Sequence, residues 1–376
     1  MKTPLFEWHK AHGVTLQDFA GWELPERFSD PLEEYQAVRK RAGLLDLSSR
    51  AKVRMTGEDR VSFLQGMVTN DIKRLKAGEG CYTAMLTEQG RVVADFRVYA
   101  LTDAFLLDVD ARIREKLTDA FSRFIVADDV ELEDLSAQWA TFSLQGPCSS
   151  AVLERAVEET LSLAQEYQHR EVRIEDVAVR IVKASDTGEE GYEVFVSSES
   201  AEKMWQILLG AGEPLGLKPV GMTALNVLRV EAGIPWYGMD MDESRIVLEV
   251  GLENAISYDK GCYLGQEVVE RATARGHINR RLVGLLILGD TVPQPGDKLF
   301  HNFQEIGFRP HPYEEGTERE IGWITSAVFS PHLGHPVSLA YVRQEFLTPG
   351  TQVRIDRQGK TVIAEVTRLP FYQHTR

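Results

Sequence analysis

Cys262 stands between two glycines in the run Lys260-Gly261-Cys262-Tyr263-Leu264-Gly265-Gln266-Glu267, where glycine permits tight or left-handed backbone and a thiol can be held at a bend. Lys260, Arg271 and Arg275 are the nearby cations that would lower its pKa and make it a nucleophile or a transient metal ligand. The plainer reading is a small buried hydrophobe beside a solvated lysine, and spacing alone favours it. A second candidate is Asp95, in a stretch that alternates Val92, Ala94, Phe96, Val98 against Arg91, Asp95, Arg97, Tyr99. A carboxylate on the second face can do acid-base work, or it can pair with Arg91 or Arg97 on a solvated sheet face. His332 and His335 have the spacing of a metal pair, but prolines flank them and no third ligand is evident, so a turn with two solvated histidines is expected and no metal site. Arg271, Arg275, His277, Arg280 and Arg281 form the main basic cluster, which suits an acidic ligand or partner as well as an ordinary cationic linker.

The elements that position these residues follow from apolar spacing. Asp30-Pro31 starts a helix carrying Leu32, Tyr35 and Val38, and Thr56 to Asp59 reads as a capping box before Val61, Phe63 and Leu64. Strands are expected over Arg91 to Tyr99 and Ala104 to Val109, then a helix whose stripe is Ile113, Leu117, Ala120, Phe121 and Phe124. Strand, helix and strand alternate again from Trp139 to Val196, followed by a helix on Ala201, Met204, Trp205 and Leu208 that stops near Gly210. This is an α+β pattern in two related layers. From about Leu282 short apolar runs separated by Pro and Gly turns predict a small all-β domain, with a long exposed loop from His301 to Glu320.

Composition narrows the classes. With 376 residues and 43% hydrophobic residues the chain can bury at least two cores. Lys and Arg number 42 against 57 for Asp and Glu, and the net charge of -15 opposes nonspecific binding to nucleic acid or to an anionic membrane. The start lacks the apolar stretch of a secretory signal, no later run is long enough to span a bilayer, and three scattered cysteines offer no Cys-x-x-Cys pair, which together predict a cytoplasmic protein. Gly-x-Gly-x-x-Gly, the P-loop, His-Glu-x-x-His and Gly-x-Ser-x-Gly are all missing from the sequence.

Larger blocks carry a resemblance. Leu228 to Glu243, Thr3-Pro4-Leu5, Asp18 to Pro25, Ala42 to Ser48, Thr69-Asn70-Asp71, Leu144 to Pro147, Thr187 to Glu193, Ser330-Pro331 and Leu369 to Tyr372 resemble, in order, the aminomethyltransferase-like superfamily that includes the glycine-cleavage T protein. The octapeptide 260–267 resembles the marker of its YgfZ-type branch, since T proteins usually carry an acidic residue where Cys262 stands.

The resemblance implies a three-domain ring around a folate cavity: residues 1–50 with 137–245 as a discontinuous α+β domain, 51–136 as an inserted α+β domain, 246–280 as signature loop and linker, and 281–376 as a C-terminal β-barrel. It implies tetrahydrofolate as the ligand, with Glu193, Arg229, Tyr237, Asp95 and Tyr263 as contacts and Asp95, Cys262 and Lys260 as reactive residues. Without the family, Glu193 reads as a strand-edge carboxylate, Arg229 as a helix-surface arginine and Tyr237 as core packing. Asp95 matches the second of two acidic T-protein positions while Ala94 fills the first, and Gln373-His374 stand where a basic residue usually follows Pro-Phe-Tyr. The expected role is support of iron–sulfur cluster assembly or repair, with iron–sulfur client or assembly proteins as partners. The competing expectation is a folate-dependent aminomethyl- or methyltransferase that uses Asp95.

Overall fold

Asp30 caps the helix Pro31–Lys40 with its side chain, accepting the Leu32 N–H at 2.7 Å, and Pro31 fills the first turn, where its missing donor costs nothing. The helix buries Glu34, Tyr35, Ala37 and Val38. The expected capping box is not what starts the next helix. Helix Arg60–Met67 has no side-chain cap; instead Asp59 accepts the Asp129 N–H and Asp129 accepts the Glu58 N–H, both at 2.9 Å. Gly57, at φ +103°, packs directly against Asp129, because a Cβ at Gly57 would lie 1.9 Å from the Asp129 carbonyl oxygen.

The computed structural model describes residues 1–276, 278–301, 319–357 and 360–374. They form two compact units, one of Met1–Leu228 with Leu252–Gln266, the other of Arg229–Gly251 with Glu267–Arg376.

The first unit holds two main sheets. A five-stranded sheet runs, in spatial order, Gly80–Leu86, Val92–Ala100, Phe105–Asp110, Arg50–Thr56 and Glu131–Asp134. A six-stranded sheet runs His169–Ile174, Val177–Lys183, Gly191–Ser197, Trp139–Gln145, Gly43–Asp46 and Lys218–Pro219. Helix Arg114–Phe124 covers one face of the five-stranded sheet through Leu117 and Phe121, and the Phe121 ring meets Phe96 edge-on at 6.2 Å. Phe124, expected in the apolar stripe, is exposed at the last position of the helix.

The strand Val92–Ala100 is buried on both faces, which corrects the expectation of a solvated polar face. Its second face meets the six-stranded sheet: Tyr99, Leu106, Val182, Ala184 and Phe195 form one apolar cluster, with Tyr99 and Phe195 rings 5.7 Å apart. Asp95 and Arg97 therefore sit in the seam between two sheets, where an unpaired charge is costly.

The second unit contains the closed six-stranded barrel, ordered Arg280–Leu288, His335–Arg343, Arg319–Ser330, Lys298–His301, Gln352–Arg357 and Lys360–Thr367. Closure leaves no edge strand to protect. Leu285, Ile287, Leu299, Ile324, Ile355 and Val366 fill its core. His301, Arg319 and Glu320, expected in the long loop, belong to barrel strands; the rest of that loop lies outside the described residues. His332 lies in the turn before His335–Arg343, both histidines are exposed, and among the described residues no cluster has the makings of a metal site. No helix among the described residues is long and apolar enough to cross a membrane.

Candidate functional site

The pairing of Gly80–Leu86 with Val92–Ala100 sets Tyr82 opposite Arg97 and Ala84 opposite Asp95, so Tyr82, Asp95 and Arg97 share one face. The Tyr82 hydroxyl donates to Asp95 Oδ2 at 2.7 Å. Burial pushes the Asp95 carboxyl above its ordinary range, opposed by the Tyr82 hydrogen bond and the Arg50 charge. Arg97, one of the two alternative ion-pair partners for Asp95, is committed elsewhere.

Arg97 donates Nη1 to Glu193 Oε1 at 2.5 Å and Nη2 to Asp186 Oδ1 at 2.6 Å. Glu193 is fully buried on Gly191–Ser197, an interior strand flanked by Val177–Lys183 and Trp139–Gln145, so it is not a strand-edge carboxylate. Burial pushes the Glu193 carboxyl up and the Arg97 guanidinium opposes that. Asp186 is fixed in turn: Ser143 donates to its Oδ2 at 2.7 Å, and its own N–H donates to Gln145 Oε1 at 3.0 Å.

A second layer holds this pair. Lys52 is fully buried and donates to Asp108 Oδ1 at 2.8 Å and to Thr141 Oγ1 at 2.9 Å, with its ammonium 4.4 Å from the Phe195 ring centre. Arg50 Nε also reaches Asp108, at 3.0 Å, and Arg97 Nη1 lies 3.8 Å from it. Burial alone would raise the Asp108 carboxyl, but Arg50, Lys52 and Arg97 outweigh it and hold the group down to about 2. Arg50, Lys52 and Arg97 thus balance Asp108, Asp186 and Glu193, and Asp95 is left with Tyr82 as its hydrogen-bond donor. Glu193 Oε2 is buried and, among the described residues, has no hydrogen-bond partner.

The octapeptide is anchored in the same unit. Lys260 is buried, and its ammonium donates to the Gln65, Val68 and Asn70 carbonyls at 2.7, 2.5 and 2.8 Å. Those carbonyls lie at and just past the C-terminus of Arg60–Met67, where a cation complements the helix dipole. Burial nevertheless brings the amine down to about 8, opposed by the Asp71 charge. This corrects both sequence readings of Lys260: it is not solvated, and its donors serve the main chain rather than a thiolate. Cys262 is exposed, not a buried hydrophobe, and Arg271 pairs with Glu267 one helical turn away. The Arg275 side chain and His277 lie outside what is described. Gly265 does need to be glycine, with φ +83° and a Cβ position 2.5 Å from the Thr87 carbonyl, whereas a Cβ at Gly261 would meet nothing. The Tyr263 ring centre lies 5.1 Å from the Lys260 ammonium.

In the second unit Arg229 is fully buried, which removes the helix-surface reading. Its Nη1 pairs with Asp240 Oδ2, its Nη2 donates to Ser326 Oγ at 2.7 Å, and its guanidinium lies 4.5 Å from the Trp236 ring centre. Asp240 Oδ1 accepts from Thr325 and Ser326, both at 2.6 Å. Tyr237 is buried nearby in sequence, bridged to Met241.

Sequence reasoning missed Tyr82, Asp108, Asp186 and Asp240. Strand parity placed Arg97 beside Asp95, but partners from other strands leave no local signal.

Two α+β sheets in one unit and a closed barrel in the other define a GcvT-like fold, the architecture of the glycine-cleavage T proteins. The chain belongs to that aminomethyltransferase family: residues 5–260 match the GCVT N-terminal domain and residues 280–373 the glycine cleavage T-protein C-terminal barrel domain. It is 33% identical to the aminomethyltransferase of Shouchella clausii over 100% of this chain and 99% of that one. It is 34% identical to that of Halothermothrix orenii over 98% of this chain and 99% of that one. The crystal structure of the glycine cleavage system aminomethyltransferase T from Bartonella henselae superposes with a TM-score of 0.88 at 25% identity, covering 99% of this chain and 98% of that one.

Proposed function

We propose that the protein transfers a one-carbon unit to tetrahydrofolate, as an aminomethyltransferase of the T-protein kind. The buried, unpartnered Glu193 Oε2 carries the proposal. A reduced pterin offers an amino group and a ring N–H as donors, and a buried carboxylate oxygen accepts such a donor. Arg97 keeps Glu193 oriented through Oε1, leaving Oε2 to the ligand. Asp95, raised by burial and held by Tyr82, is the group that orients the amine and moves a proton as the carbon is transferred. Tyr237, Tyr263 and Arg229 are assigned as flanking folate residues by family likeness, Arg229 acting through its bond to Asp240. The division into 1–50 with 137–245, 51–136, 246–280 and 281–376 belongs to the same proposal. The test is ammonia released from an S-aminomethyl thiol donor in the presence of tetrahydrofolate; loss in Asp95→Asn is expected, and full activity of that variant would refute the role of Asp95.

One observation favours a second reading, the YgfZ-like support of iron–sulfur enzymes. Cys262 is exposed on a loop that Lys260 clamps at three carbonyls, a fixed thiol open to a partner. In a strain lacking any substitute, Cys262→Ala should then lower cluster-dependent enzyme activities; unchanged activities would remove this reading.

A further inference from the structure

A cavity of about 900 Å³ in the first unit has no part in the reading above. Trp22 and Trp139 form apolar walls, and Arg50, Arg112, Arg114 and Lys2 line it against two carboxylates, Glu115 and Glu199. Glu115 already accepts from Arg114 at 2.9 Å. The lining is therefore cationic in a chain of net charge -15.

The arginines differ in what they have left to give. Arg114 divides its two terminal nitrogens between Glu115 and Asp134. The bonds of Arg50 to Asp108 run from Nε and Nη2, and those of Arg112 to Asp110 also run from Nε and Nη2. Among the described residues Nη1 on Arg50 and on Arg112 has no acceptor, on guanidinium groups whose orientation is already fixed by carboxylates. Pre-oriented guanidinium donors suit a planar anion, and two indole walls suit a flat apolar body. The volume falls within the range of small-molecule sites. Arg50, which lines the cavity, also pairs with Asp108 in the seam between the two sheets.

We propose that this cavity binds a small carboxylate with a flat apolar body, held by Nη1 of Arg50 and Arg112 and stacked between Trp22 and Trp139. The inference goes beyond one-carbon transfer and does not require it.

Calorimetric titration of the full chain with benzoate tests it, with acetate supplying the charge without the ring and benzyl alcohol the ring without the charge. Saturable benzoate binding is expected, roughly tenfold or more tighter than either control. Arg112→Gln should weaken it by a similar factor, and Trp22→Ala should remove the preference for benzoate over acetate; if one variant fails to fold, the other decides. The binding should persist with tetrahydrofolate present. No saturable benzoate binding, equal binding of acetate, insensitivity to the folded variants, or displacement by tetrahydrofolate would each overturn the proposal. Folate binding is read in the same series, so its absence would sink the one-carbon reading while leaving the cavity result standing.

Discussion

Arg97 and Glu193 join the two sheets of the first unit: a guanidinium on Val92–Ala100 donates to a fully buried carboxylate on Gly191–Ser197 at 2.5 Å. Neither group could be buried alone, because a single ion in this seam would lose its hydration without return. The pair joins the sheets through Oε1, while the buried Oε2 has no hydrogen-bond partner among the described residues.

Removing Arg97 should be severe. Arg97→Met leaves Glu193 and Asp186 as buried carboxylates without their cation, and a loss of about 3–5 kcal/mol is expected in urea unfolding. Adding Glu193→Gln should return part of the loss, since the uncompensated charge is then gone. A loss under about 1 kcal/mol for Arg97→Met would mean the pair is solvated.

Acid should weaken the first unit in two windows. Burial, with the Arg180 charge, pushes the His169 imidazole down to about 4. The folded protein holds it neutral while the unfolded chain binds a proton from 6.5 downward, so stability falls as pH drops from 6.5 towards 4, by on the order of 3 kcal/mol. Asp108 is the opposite charge type but gives the same sign. Its carboxyl is held down to about 2 from 3.8, so its contribution is complete above 3.8 and disappears as pH falls through 2. Unfolding free energies from pH 7 to 2 check this: His169→Gln should flatten the slope between 6.5 and 4, and an unchanged slope would contradict the burial of a neutral imidazole.

Lys260 should behave as a fastener. Lys260→Met strands two buried carbonyls, of Gln65 and Val68, at about 1–3 kcal/mol each and the half-buried Asn70 carbonyl at less, so the octapeptide should loosen. Faster amide exchange at Leu264, whose N–H donates to the Gly66 carbonyl at 3.0 Å, is the expected reading. Exchange as slow as in the parent chain would show that the loop holds itself.

The two octapeptide glycines should separate cleanly. Gly265→Ala meets both a positive φ and the Thr87 carbonyl, and should destabilise by more than about 1 kcal/mol; Gly261→Ala should be nearly neutral. Equal effects in thermal melts would contradict the loop geometry.

What the sequence revealed, and what it withheld, divides along one physical line. Elements with apolar periodicity were readable: the Asp30-capped helix, the strand carrying Asp95, the helix carrying Phe121 and the all-β character of the C-terminal part follow from spacing, although the ends of two barrel strands were read as loop. Family blocks supplied Glu193 and Arg229, which periodicity alone would have set at a strand edge and on a helix surface. The partners were not readable, because Tyr82 and Asp108 reach Asp95 and Arg97 from other strands and Asp186 from the loop between Val177–Lys183 and Gly191–Ser197, and only the fold brings them together. Lys260 was misread for the same reason: its acceptors lie about 190 positions away in the chain.

The central claim is that Glu193 Oε2 waits for a reduced pterin. Calorimetric titration of tetrahydrofolate into the parent chain and into Glu193→Gln tests it most directly. The account predicts saturable one-to-one binding by the parent, weakened by roughly a hundredfold in the variant, as expected for loss of a buried charged acceptor worth about 3 kcal/mol. Equal affinity in the two proteins, or no saturable binding by the parent, would contradict it.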